Sequence, residues 1–265
     1  MAKFDSQMHE ARWNRTVRAV DANKRKSLYW PPRVEDPNAP HGRYDGLFVI
    51  GRDMPRVIDG VYMGSSREAI SVQEYRLENG RRLETLLPGY FDFFNRVFKE
   101  RYPDAVNARS RVMTAAYFFT QELFGGDAPD LDEKVEVLSR ELQAEYGDHP
   151  VPLEEFAEER LGVCRHRALF LAYMFERLLR DPGYSFRGTF SLDRNEVREN
   201  GRSLGAHVWV RYTNSTGDIF IFDPMQNQMG LLETFANGEL FWDYVRSEDE
   251  TYLSRRGINV RGRRF

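Results

Sequence analysis

Cysteine occurs once in the 265 residues, at position 164. No intrachain disulfide can form, and the chain cannot by itself build a zinc site from several thiolates. No apolar run reaches the roughly 18 residues that a membrane span needs, so no span is expected. The opening MAKFDSQMHEARWNRTVRAVDANKRKSLYW mixes charges throughout. It lacks the apolar stretch of a conventional secretory leader, so a cytoplasmic location is expected. Non-classical export, as of an effector, is invisible to that test. Neither sign of charge dominates: 38 Lys and Arg stand against 41 Asp and Glu, a net charge of −3. Such a balance leaves no electrostatic footprint for nucleic acid. Repeats and low-complexity blocks are also missing, which excludes solenoid architectures.

A core is affordable. Hydrophobic residues make up 41% of the chain and aromatics 14%, above what a chain without a packed interior carries. Residues 1–45 combine a short polar helical stretch with the Pro-rich segment YWPPRVEDPNAPHGRYDG and are expected to form an arm or linker. Residues 46–265 are expected to form one α+β domain. Short β-type runs fill Leu47 to Leu77, and Asn79-Gly80 marks a tight hairpin turn. Helical spacing then governs GYFDFFNRVFKERY, with Tyr90, Phe93, Phe94, Val97 and Phe98 as its apolar set, followed by RVMTAAYFFTQELF and DEKVEVLSRELQAEY. Pro88, Pro103, Pro129 and Pro150 stand at the boundaries, where helix breakers belong. The basic tail RRGINVRGRRF is read as solvated surface.

The cysteine opens a further helix, over about 163–180. Ala168, Leu171, Ala172, Phe175, Leu178 and Leu179 fall on one stripe, Gly162 precedes the start, and Asp181-Pro182-Gly183 ends it. Cys164 therefore sits in the first turn, where unpaired N–H groups and the helix dipole favour a thiolate. Arg165, His166 and Arg167 follow at once. Cations there oppose the dipole, a local conflict more expected at a functional site than elsewhere. The plainer account pairs them with Glu154, Glu155, Glu158 or Glu159 just upstream.

Three β-type runs come next: YSFRGTFSL (184–192), GAHVWVRY (205–212) and DIFIFDP (218–224). Period-two alternation puts Val208, Val210 and Tyr212 on one face and His207 with Trp209 on the other. A turn centred near Ser215 makes antiparallel partner numbers sum to about 430, which sets His207 opposite Asp223. Their Cβ atoms would then be about 5 Å apart, and a turn shifted by one residue would leave a diagonal contact within reach. A thiol that attacks an amide needs an imidazole as base and later as acid, and the imidazole needs a carboxylate to fix its tautomer. Cys164, His207 and Asp223 are the candidate catalytic residues.

The order Cys–His–Asp, with the cysteine in GVCRHRALFLAYMFERL and the other two in AHVWV and FDP, resembles the transglutaminase-like superfamily. That group includes transglutaminases, peptide N-glycanases, bacterial cysteine proteases and pathogen effectors. The cysteine helix is especially similar to that of the peptidase-like domain of some plant Raf-type kinases. The resemblance covers about 155–228. It implies a papain-like core over about 130–230, with the cysteine helix packed on an antiparallel sheet. It also implies Cys164 as nucleophile with its backbone N–H in the oxyanion hole, His207 as base and Asp223 as orienting carboxylate. The acidic loop clusters of calcium-dependent transglutaminases and the cysteine set of zinc-bearing N-glycanases are both missing. The expected activity is thiol-dependent acyl transfer on protein or peptide amides, with no cofactor and no metal. Hydrolysis by a protease or deamidase is expected ahead of cross-linking, because nothing marks an amine-acceptor site. Within that activity, a bacterial effector or toxin role is a further expectation. The rival is a non-catalytic interaction module that retains the fold.

Overall fold

The computed structural model describes residues 43–44, 47–49, 56–63, 68–78, 81–105, 108–126, 128–147, 149–184, 187–199, 202–236 and 244–259. The arm expected over 1–45 lies outside the described residues apart from Arg43 and Tyr44, as do Asn79-Gly80 and 260–265. Six short strands come first: β1 (Arg43–Tyr44), β2 (Leu47–Val49), β3 (Val61–Met63), β4 (Ala69–Ser71), β5 (Tyr75–Glu78) and β6 (Arg81–Glu84). Among the described residues, the first helix begins at Leu87. β5 and β6 form a hairpin with Glu78 opposite Arg81, as an Asn-Gly turn would require. β1 to β4 join β7 (Val151–Pro152) in a sheet ordered β1-β2-β3-β4-β7. That sheet is mixed, with β2–β3 and β4–β7 parallel.

Helices α1 (Leu87–Arg101), α2 (Arg109–Leu123) and α3 (Leu131–Tyr146) occupy the three segments whose spacing is helical. In α1 the buried row is Leu87, Phe91, Phe94 and Phe98. Phe93 and Val97, expected in the core, are exposed. The segment carries more apolar residues than one helix face can hide, and spacing alone cannot choose the face. A short helix, α4 (Leu153–Glu158), leads to α5 (Cys164–Arg180).

α5 is the centre of the molecule. Every residue from Ala168 to Phe175 is fully buried, so the expected one-sided stripe is instead an apolar cylinder enclosed on all sides, as befits a central helix. Its one interior carboxylate is used structurally: Glu176 Oε2 accepts the backbone N–H groups of Val57 (2.8 Å) and Ile58 (3.0 Å).

Against α5 lies a wholly antiparallel sheet, ordered β11-β10-β9-β8. Its strands are β8 (Gly188–Glu199), β9 (Arg202–Asn214), β10 (Ile219–Asp223) and β11 (Gln228–Leu231). β8 begins later and runs further than the expected 184–192, because it pairs with β9 from Gly188–Asn214 through to Glu199–Arg202. Leu192, Val208, Val210, Tyr212 and Phe222 face α5 and join its core. Trp209, Ile219 and Ile221 face away. They form a second apolar cluster with Leu232 and Phe235 of α6 (Leu232–Phe235), Tyr244, Val245, and Leu253 of α7 (Glu250–Ser254).

Candidate active site

The Cys164 helix starts where the sequence places it, because of Gly162. A Cβ there would lie 2.4 Å from the Phe124 ring and 3.1 Å from His166 Cβ. No side chain fits, and the chain passes beneath Phe124 into Val163, whose carbonyl accepts the N–H groups of His166 and Arg167. Cys164 is the first helical residue. Its own N–H therefore has no acceptor within the helix and is free to receive an anion.

The cations of the first turn do not pair with the upstream glutamates. Arg165 forms a buried ion pair with Glu68, 97 positions away. His166 is fully buried, stacks on Phe156 at 4.0 Å between centroids, and accepts the Val163 N–H on Nδ1 at 3.2 Å. Burial, then the charge of Arg165, push its pKa down to about 4, so it is a neutral helix-capping group. Arg167, also buried, donates to three carbonyls: Gly162 at 2.7 Å, Pro224 at 3.2 Å and Gly125 at 3.2 Å. One guanidinium thus ties the loop before Cys164 to the residue after Asp223. Glu154 and Glu155 go elsewhere, to the Leu86 N–H and the Tyr146 hydroxyl. The upstream pairing fails because a first-turn side chain here points into the protein rather than back along the chain.

The hairpin that carries His207 and Asp223 is centred one residue later than expected. Asn214 bonds Asp218 across the turn (N to O, 3.0 Å). The Asn214 side-chain oxygen accepts from the N–H groups of Thr216 (2.9 Å) and Asp218 (2.8 Å). Gly217 takes the left-handed φ of +83° that closes the bend. Phe220 consequently stands opposite Tyr212 and Phe222 opposite Val210, so His207 and Asp223 are diagonal rather than direct neighbours. They nevertheless meet on one face, with His207 Nε2 2.5 Å from Asp223 Oδ2.

Because β10 leaves the ladder after Phe222, the neighbouring edge of β9 at Val208 is open to the helix N-terminus. Cys164 lies there, within interaction range of the His207 side chain and the Val208 backbone. Asp223 occupies Nε2. Cys164 is partly exposed, His207 is 3% exposed and Asp223 is fully buried. Asp223 is held on four sides. Its Oδ1 accepts the Met225 and Gln226 N–H groups at 3.1 Å each, and Oδ2 accepts the Tyr244 hydroxyl at 2.8 Å as well as His207.

The charges follow from this geometry. Burial pushes the Cys164 thiol up, but His207 and then Arg165 and the Val208 backbone outweigh it and leave the pKa below the ordinary value. Burial pushes His207 down, but the charge and hydrogen bond of Asp223, then those of Cys164, raise it to about 10. Both shifts favour a thiolate beside an imidazolium.

All three sequence candidates come together. Tyr244, Glu68 and the clamp made by Arg167 were not legible in the sequence. Tyr244 follows Asp223 by 21 positions in a stretch without periodicity, and Glu68 directly precedes β4 of the other sheet. The described cavity of about 340 Å³, lined by Ser71, Gln73, Arg76, Thr85, Tyr146 and His149 among others, includes no triad residue. Among the described residues no cluster of three His, Cys, Asp or Glu could hold a metal ion, and no helix is long and apolar enough to cross a membrane. Compared with known proteins, the chain matches no family model, no curated protein and no solved structure.

Proposed function

We propose that this chain is a thiol-dependent acyl-transfer enzyme of transglutaminase-like, papain-like architecture that hydrolyses amide bonds of protein or peptide substrates. The supporting observation is the convergence of Cys164, His207 and Asp223: the thiol lies within interaction range of the imidazole, whose Nε2 is 2.5 Å from Asp223 Oδ2. The thiolate attacks the amide carbonyl, and the Cys164 N–H stabilises the oxyanion. His207 Nδ1 protonates the leaving amine, which leaves an acyl-enzyme, then takes a proton from water as it attacks. Asp223 fixes the tautomer and offsets the imidazolium charge. Water is the natural acceptor because nothing marks an amine site.

One observation favours the rival, a non-catalytic interaction module: His207 and Asp223 are almost wholly buried, as purely structural polar residues would be. Iodoacetamide labelling of Cys164 across pH separates the two. An activated pair alkylates rapidly well below the ordinary thiol pKa of 9.0, and His207→Ala slows it by about 100-fold or more at pH 6. A thiol labelled only after denaturation overturns the enzyme and leaves the module.

A further inference from the structure

The face of the sheet that carries His207 and Asp223 also buries four charged groups that the reaction does not use. Asp193 is fully buried, and Arg211, Arg246 and Asp249 nearly so. Arg246 Nε donates to Asp193 Oδ2 at 2.8 Å, with Arg211 Nη1 3.8 Å from the same oxygen. Arg211 Nη2 bonds Asp249 Oδ1, and Asp249 Oδ2 accepts the Arg246 N–H at 2.8 Å. Two of these groups belong to β8 and β9; the other two belong to the segment Tyr244–Asp249.

Two residues before Arg246, the same segment delivers a hydroxyl to the site. Tyr244 is 2% exposed, and its ring stands edge-on to Trp209 (4.9 Å, 86°) and against Phe235 (5.1 Å). Its O–H reaches the carboxylate oxygen that also contacts His207. A buried ion network gains little stability over apolar packing of the same volume, but it admits one arrangement only. An apolar anchor would let the segment slide; this one fixes where Tyr244 ends.

We propose that Tyr244 is a positioning residue of the Cys164–His207–Asp223 site, held on Asp223 by a C-terminal strap that the Asp193–Arg246 and Arg211–Asp249 pairs fasten to the sheet. Tyr244 shares Oδ2 with the imidazole, so it sets both the direction of the carboxylate and the negative charge left to face His207. This inference rests on the proposed site, and its test stands apart from thiol reactivity.

The test is an NMR titration of the His207 imidazole in the full chain carrying Cys164→Ala. That background removes the sulfur as a variable. The other groups facing the pair, Arg165 from α5 and Tyr117 from α2 (whose hydroxyl bonds the Asp223 carbonyl at 3.2 Å), stay in place. Tyr244→Phe keeps the ring and removes the donor. The expected result is a His207 midpoint raised by about half a unit or more, because the carboxylate oxygen is left with more charge for the imidazolium. Arg246→Met, which touches none of the three site residues, reproduces the shift; if it does not fold, Arg246→Lys serves. An unmoved midpoint in folded Tyr244→Phe overturns the positioning role. A shift in Tyr244→Phe without one in a folded Arg246 variant overturns the strap. Failure of the wild-type thiol to alkylate would overturn the enzyme and leave this titration readable.

Discussion

The two faces of the antiparallel sheet are equally buried and are held in different ways. Towards α5 the contacts are apolar and non-directional, as where Phe222 meets Phe175 edge-on at 4.9 Å. On the far face, Asp193, His207, Arg211 and Asp223 are joined by directed bonds to Arg246, Asp249 and Tyr244. Volume filling tolerates small rotations of a side chain; a network of hydrogen bonds does not. An imidazole that must offer one nitrogen to a thiol and the other to a carboxylate can be oriented only by the second kind of surface. The face that packs on α5 and the face that carries His207 and Asp223 are therefore opposite sides of the same strands.

Breaking each face in turn gives the largest expected effects. Phe175→Ala should cost about 3–5 kcal/mol of stability in urea unfolding, with the pH profile of Cys164 alkylation unchanged. Asp193→Ala should cost a similar amount, about 3–5 kcal/mol, because it strands a buried guanidinium. Unlike the first variant, it should also shift that profile, since the strap is loosened. Equal profiles in the two variants would abolish the distinction between the faces.

Arg167 lies on the boundary between the faces and sharpens the comparison. Arg167→Met frees the Gly162 and Pro224 carbonyls from each other, so cysteine and carboxylate lose their common reference point. Alkylation at neutral pH should slow by up to about 100-fold. Arg167→Lys, with the charge but not the fork, should recover only part of the rate in the same assay.

The smallest effect is in the pH dependence of stability. The His207 share is fully present below its ordinary pKa of 6.5 and is lost as pH rises through about 10. The Cys164 share is fully present above its ordinary 9.0 and is lost as pH falls through its lowered folded value. Above both 6.5 and the lowered thiol value, and up to 9.0, the two slopes have opposite sign and cancel, so the pair's contribution is flat there. In Cys164→Ala the flat stretch should become a decline of up to about 1.4 kcal/mol per pH unit relative to the wild type. Parallel curves for the two proteins would mean that the pair is not ionised at neutral pH.

What the sequence disclosed was local. Helical spacing marked α1, α2, α3 and α5, and Gly162 ahead of a lone cysteine put Cys164 in a first turn. Period-two alternation put His207 and Trp209 on one face of β9. What it withheld depended on distant partners. The turn centre was set by how the Asn214 side chain bonds Thr216 and Asp218, which composition does not rank. The first-turn cations found Glu68 and backbone carbonyls, and no spacing rule reaches 97 residues. The face of α1 that is buried, and the all-round burial of α5, were settled by what packs outside them. Tyr244 carries no local signal at all; only the fold brings it to Asp223.

The bend at Ser215–Gly217 has a consequence for how this protein can change length. None of its side chains bonds to Cys164, His207 or Asp223, yet it counts residues on their behalf. Removing one residue there would turn every side chain of β10 to the opposite face, sending the Asp223 carboxylate into the apolar core and Phe222 among the charges. Removing two would restore the face but slide the carboxylate about 7 Å along the strand. Tolerance at this bend thus follows an odd–even rule, and its length constrains a site it never meets.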